Sequence, residues 1–117
     1  MTPMRTYVRM GPRPWKPALE LLGALERGDL LYAMKLADEV RIEHGKPIPL
    51  EMASGFLPLI ARESPREYDA WALRWLMRWI DESGAPTIEQ AAEVAASLAE
   101  LPAEPSSLAE VRASIPR

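Results

Sequence analysis

Apolar residues recur along most of this chain at the three- and four-residue intervals of an α-helix, and glycines and prolines punctuate the runs. Ala18, Leu21, Leu22 and Leu25 fall at i, i+3, i+4 and i+7, the stripe of one buried helix face. Pro17 suits the first position of that helix, where an N–H would have no partner anyway, and Gly28 supplies a left-handed stop. Asp29 is placed to cap a second helix running to about His44, with Leu30, Ala33, Met34, Ala37 and Val40 on one face and Gly45 and Pro47 ending it. From Leu50 to Arg62 the chain is apolar and helix-like but contains Gly55 and Pro58. Proline removes a backbone donor and crowds the preceding turn, so a kink or two short helices are expected.

Three segments carry the capping-box pattern, in which a cap hydroxyl and a glutamate or glutamine three residues on exchange hydrogen bonds with free backbone N–H groups. Ser64-Pro65-Arg66-Glu67 opens a helix expected to reach Glu82 or Ser83. Thr87-Ile88-Glu89-Gln90 opens another to about Leu101, with Ile88, Ala91, Ala92, Ala95, Leu98 and Ala99 as its packing face. Ser107-Leu108-Ala109-Glu110 opens a short last helix after Pro102 and Pro105. No convincing pair of strands accompanies them. The expected fold is all-α: a compact bundle of four to five helices over residues 17–101, followed by a Pro-rich linker and short C-terminal helix over 102–117.

Residues 1–16 read differently. Pro12 and Pro14, with Pro17 just beyond, favour an extended course, and Arg5, Arg9, Arg13 and Lys16 occur there without a single acid. The hundred residues from 18 onward hold 10 basic against 17 acidic side chains, so the net charge of −3 conceals a basic arm on an acidic body. Such an arm can bind nucleic acid, lie across its own acidic helices, or meet an acidic partner. Its interleaved Tyr7 and Trp15 serve any of the three as anchors.

Composition narrows the class. At 117 residues and 48% apolar content one hydrophobic core is attainable without staples. The absence of cysteine excludes disulfides, thiolate metal sites and cysteine nucleophiles. No apolar run is long enough to span a bilayer, and the opening Met-Thr-Pro-Met-Arg has no apolar signal core, so a cytoplasmic protein is expected. His44, the single histidine, sits near a helix C-terminus, where the dipole accounts for it, and it cannot build a zinc site alone. No inward-facing pair of acids, phosphate-cradling glycine loop or nucleophile elbow occurs, so neither catalysis nor a cofactor is expected.

Two resemblances bear on the picture. Abundant alanine, arginine in excess of lysine and the lack of asparagine resemble the usage of GC-rich bacterial genomes, and the chain looks similar to uncharacterised small helical proteins of actinobacteria. Between Leu22 and Val40, Gly28-Asp29-Leu30 at the turn and Ala33 at a helix crossing resemble one tetratricopeptide-type hairpin. That resemblance implies an antiparallel helical pair and a tilt toward protein binding. No aromatic occupies the matching early position, Val40 stands at the later small one, and no second copy follows at the 34-residue spacing.

The most distinctive pattern is Trp71, Trp75 and Trp79, which align with Tyr68 at i, i+4, i+8 on one helix, while Leu73, Met77 and Ile80 form a second apolar stripe. A helix apolar on two faces is either central in its own domain or shared between core and partner. In the first case all three tryptophans are core. In the second the tryptophan stripe is partly exposed and receives another protein or a second copy, with Trp71, Trp75, Trp79, Arg74 and Arg78 as candidate partner-binding residues. Stacking of bases on those rings, with the arginines on phosphates, is opposed by Glu67, Asp81 and Glu82 beside them. The expected function is thus a non-catalytic protein-interaction or assembly module. The alternative is a small nucleic-acid-associated regulator that binds through Arg5, Arg9, Arg13 and Lys16.

Overall fold

In the computed structural model, which describes residues 16–116, the chain forms a helical hairpin of α1 (Lys16–Arg27) and α2 (Leu30–His44). Gly28 adopts φ 75°, a conformation that L side chains rarely take, and this lets the Asp29 N–H return to the Ala24 carbonyl at 2.9 Å. The Asp29 side chain then accepts from the Tyr32 N–H at 3.3 Å, which is the expected cap. The Tyr32 hydroxyl donates to Glu20 at 2.8 Å and so ties α2 to α1. The buried faces are Ala18, Leu21 and Ala24 on α1, and Ala33, Leu36 and Val40 on α2. Leu22 and Met34, expected inside, are instead partly exposed.

The apolar segment after Pro49 forms two short helices, α3 (Leu50–Ser54) and α4 (Phe56–Glu63). The break falls at Gly55, not at Pro58. Pro58 is the third residue of α4, within the first turn, where a missing N–H costs no intrahelical bond. A 3₁₀ turn over Pro65–Glu67 leads into α5 (Tyr68–Glu82), and α6 (Ile88–Glu100) follows. A second 3₁₀ turn over Pro105–Ser107 leads into α7 (Leu108–Ala113). Among the described residues there are seven α-helices and no strand, so the fold is all-α: the bundle has six helices where four to five were expected, because the segment after Pro49 divides in two, and the short C-terminal helix is the seventh. No described helix is long and apolar enough to cross a membrane.

Of the three capping boxes, the one at Thr87 forms: its hydroxyl accepts from the Gln90 N–H at 3.1 Å, and the Gln90 side chain accepts from the Thr87 N–H at 2.8 Å. At Ser64 the Glu67 N–H goes to the Ser64 backbone carbonyl at 2.9 Å, so the 3₁₀ turn takes the donor that the hydroxyl would have capped. The Ser107 hydroxyl is turned back toward Glu100 at 3.5 Å, and α7 begins without a side-chain cap. The packing face of α6 is set by Val94 and Leu98, with Ala91 half-buried, while Ile88, Ala92 and Ala99 lie exposed.

Helix α5 holds the bundle together. Tyr68, Ala72, Trp75 and Trp79 point inward, and three of their polar tips reach backbone carbonyls on three different segments. The Tyr68 hydroxyl donates to Leu98 of α6 at 2.6 Å. The Trp75 indole N–H donates to Leu50 of α3 at 3.0 Å, and that of Trp79 to Ser114, just past α7, at 2.9 Å. Each bond satisfies a group that would otherwise be buried at a cost of about 1–3 kcal/mol. The stretch after Pro102 therefore does more than trail away. Val111 is fully buried, and Arg112 donates to the buried Ser54 hydroxyl at 3.1 Å.

Burial pushes the Tyr68 phenol up to about 12, with Asp69 adding to the effect. An unfolded tyrosine ionises near pH 10. Between those values the folded state keeps a proton that the unfolded state has lost, so stability is intact below about pH 10 and falls as pH rises through the window. Urea unfolding compared at about pH 9 and about pH 11.5 should show a larger loss for the native protein than for Tyr68→Phe, which starts lower because it lacks the bond to Leu98. Equal losses in the two proteins would mean that Tyr68 titrates as an exposed phenol.

Candidate functional site

Because α2 packs on α4 while α5 packs on both α3 and α4, α2 and α5 stand on either side of the short-helix unit. The space between them is a groove of about 770 Å³. Its floor is apolar, made by Ala53, Phe56 and Leu57 together with Ile48 from the connection before α3. One wall is α2, through Met34, Ala37 and the cations Lys35 and Arg41. The other is α5, through Trp71, Arg74, Trp75 and Arg78. A second hollow of about 600 Å³ shares Pro47, Ile48 and Arg78 with the first and continues past Lys46 toward Glu82.

Trp71 is the half-buried member of the tryptophan series. It stacks on Phe56, with ring centroids 6.0 Å apart and planes 16° from parallel, and the Arg74 guanidinium lies 5.3 Å from its ring centroid. That arrangement keeps a large amphipathic ring at the groove wall with little freedom left to lose. Trp75 and Trp79 are each only 4% exposed. Partial exposure of the tryptophan stripe thus holds for Trp71 alone, while the indole N–H groups of the other two are used on the carbonyls of Leu50 and Ser114. Trp75 backs the groove from inside, and Trp79 lies away from it, beside Ser114. The stripe that α5 turns to solvent is the other one: Leu73 and Met77 are 58% and 68% exposed, with Ile80 beside them.

The electrostatics of the groove run against those of the molecule. Lys35, Arg41, Lys46, Arg74 and Arg78 line the two hollows, against the carboxylates of Asp38 and Glu82. Both carboxylates are occupied, Asp38 by Arg41 at 2.6 Å and Glu82 by Arg78 at 2.9 Å. Among the described residues no carboxylate pairs with Lys35 or Arg74. No group of three His, Asp or Glu side chains that could hold a metal ion occurs among them either.

No protein-family model, curated protein or solved structure matches this chain.

Four of the five residues singled out on the tryptophan helix, Trp71, Arg74, Trp75 and Arg78, are brought together in one groove. The contribution of α2 was missed at the level of sequence. Lys35 and Arg41 look there like any solvated helix face, and only the packing of α2 on α4 sets them opposite α5. The basic residues Arg5, Arg9 and Arg13 lie outside the described residues, and Lys16 enters only as the first residue of α1.

Proposed function

We propose that this chain is a non-catalytic protein-interaction module whose docking surface is the groove between α2 and α5. The observation that carries this reading is the groove itself, an open apolar trough with a tryptophan stacked on Phe56 and two arginines along one wall. Tryptophan and arginine dominate binding energy at interfaces because they bury much area or make several bonds at small entropic cost. A trough between two helices is also the geometry in which an amphipathic segment lays down its apolar face. Trp75 and Trp79 support the surface by fixing α5, through their bonds to Leu50 and Ser114.

Site-specific photocrosslinking in cells that express the protein tests the proposal. A photoreactive residue at Met34, on the groove wall, is expected to yield one discrete protein adduct, while the same residue at exposed Glu104, outside the groove, yields none. Trp71→Ala, with its helical circular dichroism unchanged, should abolish the Met34 adduct. Identical products from both positions, or none from Met34, would rule the groove out as the docking surface.

A further inference from the structure

Resting on the reading of the groove as a docking surface, we infer that its occupant is an acidic segment of another protein, amphipathic, with apolar side chains on one face and carboxylates flanking them. The floor demands the apolar face: Ile48, Ala53, Phe56 and Leu57 offer no charge for a polar strand to pair with. The walls demand the carboxylates. Lys35 and Arg41 stand on α2 and Arg74 and Arg78 on α5, so cations border the floor on both sides, and Lys35 and Arg74 have no carboxylate of this chain to pair with among the described residues.

The placement of these cations discriminates among occupants. Arg74 and Arg78 are one helical turn apart along α5, and Lys35 and Arg41 nearly two turns apart along α2. A single anionic headgroup on an apolar tail needs cations converging at one end of a pocket, whereas cations strung along both walls suit a segment that carries acids along its length. The chain's own residues 1–15 hold three arginines and no acid, so their charge has the same sign as the walls. A nucleic-acid strand would bring the right charge but little apolar surface for the floor, and Trp71 already engages Phe56 and Arg74. Opposite potentials across an interface also steer encounter and exclude wrong partners, which gives an acidic body a reason to gather half of its cations here.

The test uses the full chain and three labelled helical peptides with leucine at i, i+3, i+4 and i+7. Their remaining positions are glutamate, glutamine or lysine, and binding is read by fluorescence anisotropy. The glutamate peptide is expected to bind at least about tenfold more tightly than the glutamine peptide, and the lysine peptide not at all. Raising NaCl from about 0.05 M to about 0.5 M should weaken the glutamate peptide about tenfold. Lys35→Glu with Arg74→Glu should have at least the same effect, while Glu104→Lys should have none. Glutamate and glutamine peptides that bind within about threefold of each other, both lost on Ala53→Trp, would overturn the charge inference and leave the groove as a docking site. No binding by the glutamate peptide at about 1 mM would overturn the inference outright. So would a single-stranded oligonucleotide, or a second copy of the chain, that binds and is lost with Lys35 and Arg74. The crosslinking from Met34 alters no cation of the walls and so reports on the docking surface independently of all these outcomes.

Discussion

Replacing Trp75 by alanine is expected to remove a large part of the stability of this domain. The side chain is the largest that α5 places between α3 and the groove, and its loss leaves a cavity that the surrounding helices cannot fully close. It also strips the Leu50 carbonyl of its donor at 3.0 Å. Truncation of a buried tryptophan costs about 3–5 kcal/mol. Since small domains are stable by only about 5–15 kcal/mol in total, Trp75→Ala should unfold at a much lower urea concentration than the native protein. Trp75→Phe keeps a ring and loses the N–H, so a loss of about 1–3 kcal/mol is expected. Leu73→Ala, two residues away on the exposed stripe, should change stability by less than about 0.5 kcal/mol. Urea denaturation followed by circular dichroism measures all three, and a loss for Leu73→Ala as large as that for Trp75→Ala would contradict the inward placement of the Trp75 face.

Gly55→Val is expected to be the second most damaging change, for a reason unrelated to backbone freedom. The φ and ψ of Gly55, −65° and −19°, suit any residue. Space is what is lacking: a Cβ there would lie 3.1 Å from Leu25 Cδ1, 3.3 Å from the Met52 carbonyl oxygen and 3.4 Å from Arg112 Nη2. Helices α1, α3 and α7 all converge on this corner. Alanine asks its neighbours to yield by a few tenths of an ångström, and the lower entropy of its unfolded chain offsets part of that cost. The two further methyl groups of valine have nowhere to go, so a loss of about 1–3 kcal/mol is expected in thermal unfolding. Combining Gly55→Val with Leu25→Ala should cost less than the sum of the two, because the second change clears the nearest contact. Strict additivity would show that the valine acts elsewhere.

The parts of the fold that could be read from sequence were those fixed within three or four residues. Gly28, Asp29, Gly45 and the Thr87–Gln90 pair act on backbone groups one turn away, so their chemistry is visible in the string itself. Ser64 and Ser107 have the same local pattern and fail because a 3₁₀ turn takes the backbone donor in one case and Glu100 takes the hydroxyl in the other. Periodicity identified which positions share a face but not which face the core selects. On α6, apolar residues surround the helix, and burial settles on Val94 and Leu98 while Ile88 is left outside. On α5 two apolar stripes compete, and Trp75 and Trp79 take the interior, where their N–H groups find carbonyls on α3 and beyond α7, which no sequence window contains together. The groove was illegible for the same reason: its walls are some forty residues apart and meet only through α3 and α4.

The three hydrogen bonds that α5 sends outward also order events during folding. The α1–α2 hairpin closes on contacts between neighbours in the chain and can form as soon as both helices exist. The bonds of Tyr68, Trp75 and Trp79 close loops of 30, 25 and 35 residues, and the last of them waits for Ser114. A chain emerging from the ribosome would therefore carry a finished N-terminal hairpin beside a tryptophan-rich helix still lacking its last anchor. During that interval the Trp79 end of the inner stripe is uncovered beside the exposed stripe of Leu73, Met77 and Ile80, which leaves this end of α5 open to misassociation in the nascent protein.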